Sequence, residues 1–347
     1  MSDIEAKIRS AWIGRISGCQ LGKPIERMSM RDGYSALHDY LSDVGPLPLR
    51  DYVGYKEGYD IQKECCHGFL TRSEPDDDIN YSFLALLMLE EHGRELSTND
   101  VARAWLKRLP AAQTFTAERA AYKVLLERGK EWFPETGNAG FDLSACSDNP
   151  YNDWIGAQIR ADVYGWVCPG NPELAASLVT EDASLSHRGD GVYGAVFVAV
   201  LGALLMAHTP AEALRTAKTY LPENSGAIIA VELAESLLAD PEGGARIRAH
   251  YQGMSPVHTL NNLAIVVWAL FSNLDDFSAA IGDAVAAGLD TDCNGATVGG
   301  LWGLQSSDIP DHWIVPWQGR VGLSLAGYDE LTLDELVGRT VALAKSL

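Results

Sequence analysis

Three carboxylates stand in a row at Asp76, Asp77 and Asp78, preceded by Pro75 and followed at once by an apolar stretch. A second cluster, Asp290-Thr291-Asp292, lies between Gly288 and Gly295. One acid suffices to cap a helix and complement its dipole. Three in a row repel one another unless a cation lies among them, and oxygen donors suit a hard ion such as Mg²⁺, Mn²⁺ or Ca²⁺. Acids at i and i+2 in a turn can address one centre in the same way. On spacing alone, capping and metal binding account equally well for the first cluster, and a lone D-x-D is weak evidence for the second.

Other polar residues have an ordinary reading beside a functional one. His187 precedes the longest apolar run and suits a cap or core position as well as a ligand contact. His258, Asn261 and Asn262 enter another apolar segment, where such residues are usually local caps. Tyr151 and Trp154 can stack on a base, although aromatics in a long loop more often pin that loop to the core. The six cysteines form no C-x-x-C pair, so neither a zinc ribbon nor a disulfide scaffold is indicated.

The elements that must hold these groups are helical. Residues 79–90 carry apolar side chains at helical spacing and run into Gly93, a stop signal. The same periodicity predicts helices over 98–107, 117–127, 172–183, 210–220, 226–238, 259–270 and 277–287, while strand patterns are scarce. The apolar run 192–207 is shorter than the roughly 20 residues of a membrane span and reads as a buried central helix. Segments 28–66, 129–153 and 306–328 lack a sustained period and read as long irregular stretches, the last packed down by Trp313 and Trp317.

Two glycine triplets, Gly14, Gly18, Gly22 and Gly295, Gly299, Gly303, recur every fourth residue near the two ends of the chain. A helical glycine costs about 1 kcal/mol relative to alanine, so each triplet implies a backbone approaching closely. If the two faces meet, the segment ending at Glu26 and the segment starting at Asp290 lie at one end of the core.

The length of 347 residues leaves one domain or two open. The 47 acids against 27 basic residues, a formal charge of -20, argue against nucleic acid as a partner. The first ten residues carry both signs of charge and lack a secretory apolar stretch, which predicts a cytoplasmic protein.

Taken together, residues 18–26 (GCQLGKPIE), the Asp76-Asp77-Asp78 helix start and residues 288–296 (GLDTDCNGA) resemble the ADP-ribosylglycohydrolase family, related to dinitrogenase reductase-activating glycohydrolase. The motifs lie in order and cover nearly the whole chain. The resemblance implies an all-α orthogonal helical bundle, a single domain over 1–347, and two divalent cations, Mg²⁺ or Mn²⁺, beneath a ribose-binding cleft. By position it implies Asp77, Asp78, Asp290 and Asp292 as ligands. Asp76 stands where better-known members have Thr and can replace a hydroxyl ligand by a stronger one. Cys293 also stands in place of Thr and completes the candidate metal set, although a thiol matches Mg²⁺ poorly and a buried one usually just packs. Glu26 falls beside the metals, and Glu26 and Asp77 are the candidate general bases. Trp154, Ile155, Gly156 and Arg160 fall in a substrate-contacting loop, with His187 as a further contact. Apart from the resemblance, Asn262 at its helix start can reach the same cleft.

The implied reaction is hydrolysis of a ribosyl glycosidic bond, releasing ADP-ribose from an acceptor. A rival of the same chemistry is an N-ribosidase acting on a nucleoside or other small ribosyl compound. A rival of another class is a non-catalytic ADP-ribose-binding module, whose mark would be loss of the metal acids.

Overall fold

The computed structural model describes residues 3–347. Fifteen α-helices and one two-stranded antiparallel hairpin, Arg320–Leu325 with Tyr328–Thr332, make up its regular structure apart from short 3₁₀ turns, so the fold is all-α. Buried apolar side chains from Ile8 to Leu343 form one contiguous cluster.

Three helices carry little amphipathic signal because they are buried on nearly every side. They are Asp3–Gly22, Asp190–Leu205 and Thr291–Gln305. The apolar run read as a central helix is the second of these. No helix among the described residues is long and apolar enough to cross a membrane.

The two glycine triplets do meet. A methyl group on Gly14 would fall 2.0 Å from the carbonyl oxygen of Gly299, and one on Gly18 would fall 1.9 Å from that of Gly295. Gly22 faces the backbone of Thr291, and Gly303 that of Ser10. The helices Asp3–Gly22 and Thr291–Gln305 therefore run antiparallel, backbone against backbone, with nothing larger than hydrogen tolerated along the seam. The Thr291 hydroxyl donates to the Gly22 carbonyl at 2.9 Å and clamps the end of that seam.

Two stretches expected to be irregular contain regular structure. Residues 28–66 were expected as loop, yet Glu26–Val44 is helical, interrupted at Gly33 (φ 82°). Its anchors are sparse: Met28, Leu37, Tyr40 and Leu41 are the buried apolar side chains, and the rest of the helix is polar enough to hide the period. Residues 306–328 include most of the hairpin. Its preceding turns are pinned as expected, with Trp313 and Trp317 both fully buried and the Trp313 indole donating to Ser278 Oγ at 2.8 Å.

Candidate metal centre and cleft

Three helix starts deliver the acids to one place. Asp76 caps the helix Asp77–His92, accepting from the Asp78 N–H at 3.0 Å. Glu26 opens Glu26–Val44 directly after the 3₁₀ turn Lys23–Ile25. Asp290 precedes Thr291–Gln305 but makes no side-chain cap, which leaves its carboxylate free to turn inward.

The chain reaches Asp290 through Gly288 (φ 79°) and Leu289 (φ 63°). The left-handed conformation costs a leucine about 1–2 kcal/mol, and surrounding bonds fix it. Ser29 Oγ donates to the Leu289 carbonyl at 2.7 Å, and the Asp290 N–H donates to Asn262 Oδ1 at 3.2 Å. Asn262 also accepts from Asn294 Nδ2 and donates its own amide to the Pro256 and His258 carbonyls, each at 2.8 Å.

The carboxylate oxygens of Glu26, Asp290 and Asp292 lie within 4.8 Å of one another, as do donor atoms of Asp78, Asp292 and Cys293, and of Cys19, Asp76 and Asp78. Asp78 Oδ2, Asp290 Oδ1 and Asp292 Oδ1 are buried without a hydrogen-bond partner. Buried carboxylate oxygens are costly when unpaired. Asp290 and Asp292, grouped with Glu26, offer only oxygens and fit a hard divalent cation, and Asp292 joins that set to Asp78. The two thiols match such an ion less well.

Burial first, and neighbouring acids second, push Asp77 and Asp290 well above the carboxylate range. Glu26 rises for the same reasons, with Asp292 its largest charged neighbour. Burial also raises Asp78 despite Arg15. Asp292 is pushed up to about 6 by burial and then by Asp76. Asp76 alone is lowered: burial works against it, but the Lys23 ammonium overrides that cost.

Two cations not singled out from the sequence support the acids. Arg15, fully buried in the glycine-faced helix, donates to Asp162 at 2.8 Å, to the Asp78 carbonyl at 2.9 Å, to Ser82 Oγ at 2.6 Å and to the Ile159 carbonyl. Lys23 pairs with Asp76. Removing Arg15 while its acids remain leaves buried charge uncompensated, so Arg15→Met should cost about 3–5 kcal/mol in urea unfolding.

Above the acids opens a cleft of ≈ 520 Å³. Glu26, Asp76, Asp77, Asp290 and Cys293 form its acidic end, and Trp154, Ile155 and Gly156 line another wall. That wall is tied down by the Ile155 N–H donating to the Val257 carbonyl at 2.9 Å. Asp78 and Asp292 lie just beneath, buried. Arg160, His187 and Asn262 are not brought to the lining. Arg160 is buried in bonds to Glu118 at 2.6 Å, Asp182 at 2.8 Å and Ser186 Oγ at 2.8 Å. His187 lies beside it, 2.8 Å from Ser186 Oγ and held neutral by burial and then by the Arg160 charge. Asn262 instead holds the Asp290 turn.

The model of the ADP-ribosylglycohydrolase family matches residues 1–344. The chain belongs to the ADP-ribosylglycohydrolase family. A solved structure described as an ADP-ribosylglycohydrolase-related protein complex has the same fold, with a TM-score of 0.61 and 17% identity over 99% of both chains. No curated protein matches the sequence. The family is one of glycohydrolases, enzymes that hydrolyse glycosidic bonds.

Glu118 is a further residue of the cleft that the sequence alone does not single out. It lines the cleft, is buried, and occupies space that only Gly156 leaves open, since a methyl there would fall 2.1 Å from its Oε1. An acid in an amphipathic helix looks like a solvated face, and only its pairing with Arg160 distinguishes it.

The raised acids tie metal binding to pH. Glu26, Asp77, Asp78, Asp290 and Asp292 hold protons more tightly folded than unfolded, so their contribution to stability is full below about pH 4 and is lost as pH rises through the folded values, about 6 for Asp292. A bound cation reverses that loss. EDTA-treated protein should therefore melt lower at about pH 7.5 than at about pH 5.5, and Mg²⁺ should raise Tm more at the higher pH. An equal Mg²⁺ shift at both values would remove the linkage.

Proposed function

We propose that this protein is a metal-dependent hydrolase that releases ADP-ribose from an acceptor by cleaving a ribosyl glycosidic bond. The observation that carries the reading is the set of unpartnered carboxylate oxygens on Asp78, Asp290 and Asp292, gathered beneath a cleft walled by Trp154, Ile155 and Gly156.

Asp76, Asp77, Asp78, Asp290 and Asp292 would hold Mg²⁺ or Mn²⁺, with Cys293 beside them. A divalent cation bound there supplies Lewis acidity toward ribose hydroxyls and lowers the pKa of an attacking water. The chain supplies the rest. The Trp154 wall orients the ribosyl group, and Glu26 or Asp77, both lining the cleft, accepts the proton of the attacking water. Carboxylates around the cleft floor offset the positive charge that develops at the ribosyl carbon.

A second reading, an N-ribosidase for small ribosyl compounds, is favoured by the charge of the lining. Its basic side chains are Lys23 and Arg27, and Lys23 is engaged with Asp76, so few cations face a diphosphate. Release of product from ADP-ribosyl-arginine and from free nucleosides, each with Mg²⁺, Mn²⁺ and EDTA, separates the readings. Metal-dependent ADP-ribose release is expected. Turnover of nucleosides alone would establish the second reading, and tight ADP-ribose binding without turnover at any divalent ion would make the protein a binding module.

A further inference from the structure

We infer that Glu118 is a positioning residue: its ion pair with Arg160 ties together two chain segments that line the cleft and fixes the spacing at which they grip a ribosyl compound. The inference rests on the cleft reading above and gives a role to a residue that takes no part in the chemistry itself.

The two segments come from different elements. Phe115, Thr116 and Glu118 lie at the start of the helix Thr116–Arg128, and Trp154, Ile155 and Gly156 at the start of the 3₁₀ turn Ile155–Arg160. They meet at Glu118. Arg160 Nη1 donates both to Glu118 Oε1 at 2.6 Å and to the Gly156 carbonyl at 2.9 Å, so one guanidinium nitrogen holds a group from each segment. The carboxylate also packs on Gly156, where an added methyl would meet its two oxygens at 2.1 and 2.7 Å. Arg160 is a fixed anchor for this joint. Its Nε donates to Asp182 Oδ1 at 2.8 Å, its Nη2 to Ser186 Oγ at 2.8 Å, and the Tyr164 hydroxyl donates to the other Asp182 oxygen at 2.8 Å.

The start of the helix Thr116–Arg128 needs such a hold. Phe115 stands at its N-cap without a side-chain cap, and Thr116 follows with φ 37°, a conformation that β-branched residues rarely adopt. Strain of this kind persists only where the surroundings over-determine it, and it gathers at ligand sites. Glu118, two residues on and buried, supplies the hold, while the Phe115 ring stays 51% exposed at the cleft and open to a ligand. Because the Glu118 carboxylate is engaged by Arg160, it acts through the two segments and not on the reacting atoms. Replacing it leaves Arg160 paired with Asp182, one charge against one, so the fold tolerates the change.

The test is hydrogen–deuterium exchange of the full chain, read by mass spectrometry, together with turnover of ADP-ribosyl-arginine and of free nucleosides with Mg²⁺. In Glu118→Ala, exchange is expected to rise in peptides covering 113–118 and 154–160 and to stay native elsewhere. KM for the compound that is cleaved should rise by about tenfold with kcat little changed, because the grip is lost equally from the ground and transition states. Glu118→Gln, which keeps an oxygen for Arg160, should restore native exchange and bring KM back to within about twofold. Native exchange in both segments of Glu118→Ala would overturn the inference, as would a rise spread over the whole chain, an unchanged KM, or a Glu118→Gln chain that behaves like Glu118→Ala. If Glu118→Ala fails to fold, Glu118→Asp, which keeps the charge but shortens its reach, should loosen the same two segments, and native exchange there would overturn the inference. If the native chain cleaves none of these compounds, the proposed function fails, while the exchange comparison still decides whether Glu118 joins the segments.

Discussion

Asp292→Ala is expected to lower metal-dependent turnover by roughly 10³-fold or more, with the helical circular-dichroism signal unchanged. Asp292 is shared by two of the three groups of converging donors, with Asp78 and Cys293 on one side and with Glu26 and Asp290 on the other. One of its oxygens is buried without a partner, so the truncation removes a ligand without breaking a hydrogen bond to that atom. Loss of a repelling charge should even raise the stability of the metal-free protein, because Asp76, Asp77, Asp78 and Glu26 all feel Asp292 or are felt by it. Retained turnover in a variant shown to bind no metal would sink the metal-dependent mechanism.

Gly18→Ala is expected to destabilise the fold by about 3 kcal/mol, the upper end of the usual cost of overpacking. The added methyl would fall 1.9 Å from the Gly295 carbonyl oxygen, and both partners are helix backbone, so neither can rotate away. Relief requires the two helices to separate. Since Glu26 lies just beyond one helix and Asp292 at the start of the other, separation also spreads the ligands, and metal affinity should fall by about tenfold or more. Gly338→Ala is the control: nothing lies within 4 Å of that position, it sits in the helix Leu333–Ser346, and the change should be neutral or stabilising by up to about 1 kcal/mol. Equal urea midpoints for the two variants would show that the seam does not govern stability.

How far the sequence discloses the site depends on what each residue reports locally. Gly14, Gly18, Gly295 and Gly299 disclose their contact because a repeated glycine has few explanations inside a buried helix, and the same contact brings Glu26 and Asp292 together. Asp76 to Asp78 are visible as a cluster for a similar reason, since repulsion demands a partner. Arg15 and Lys23 are not visible, because a single cation in an apolar segment has no pattern until its acids arrive from distant elements, at Asp78 and Asp162 in one case and at Asp76 in the other. Arg160 and His187 mislead for the converse reason. They fall in or near a loop whose neighbours Trp154 and Gly156 line the cleft, but their side chains turn inward to Glu118, Asp182 and Ser186. The helix Glu26–Val44 is hidden by its polar composition and by the break at Gly33.

The glycine seam also bears on how the protein is made. Its two helices are Asp3–Gly22 and Thr291–Gln305, so the earlier of them must wait for one far along the chain before its narrow face is covered. Contacts so distant along the chain form late and slow folding. The same event joins Glu26 to Asp290 and Asp292, so a polypeptide interrupted before residue 290 has half a set of ligands and no means of holding the ion. Metal uptake thereby becomes a report on the joined seam: only a chain read through to its second glycine-faced helix can acquire the centre proposed for its chemistry.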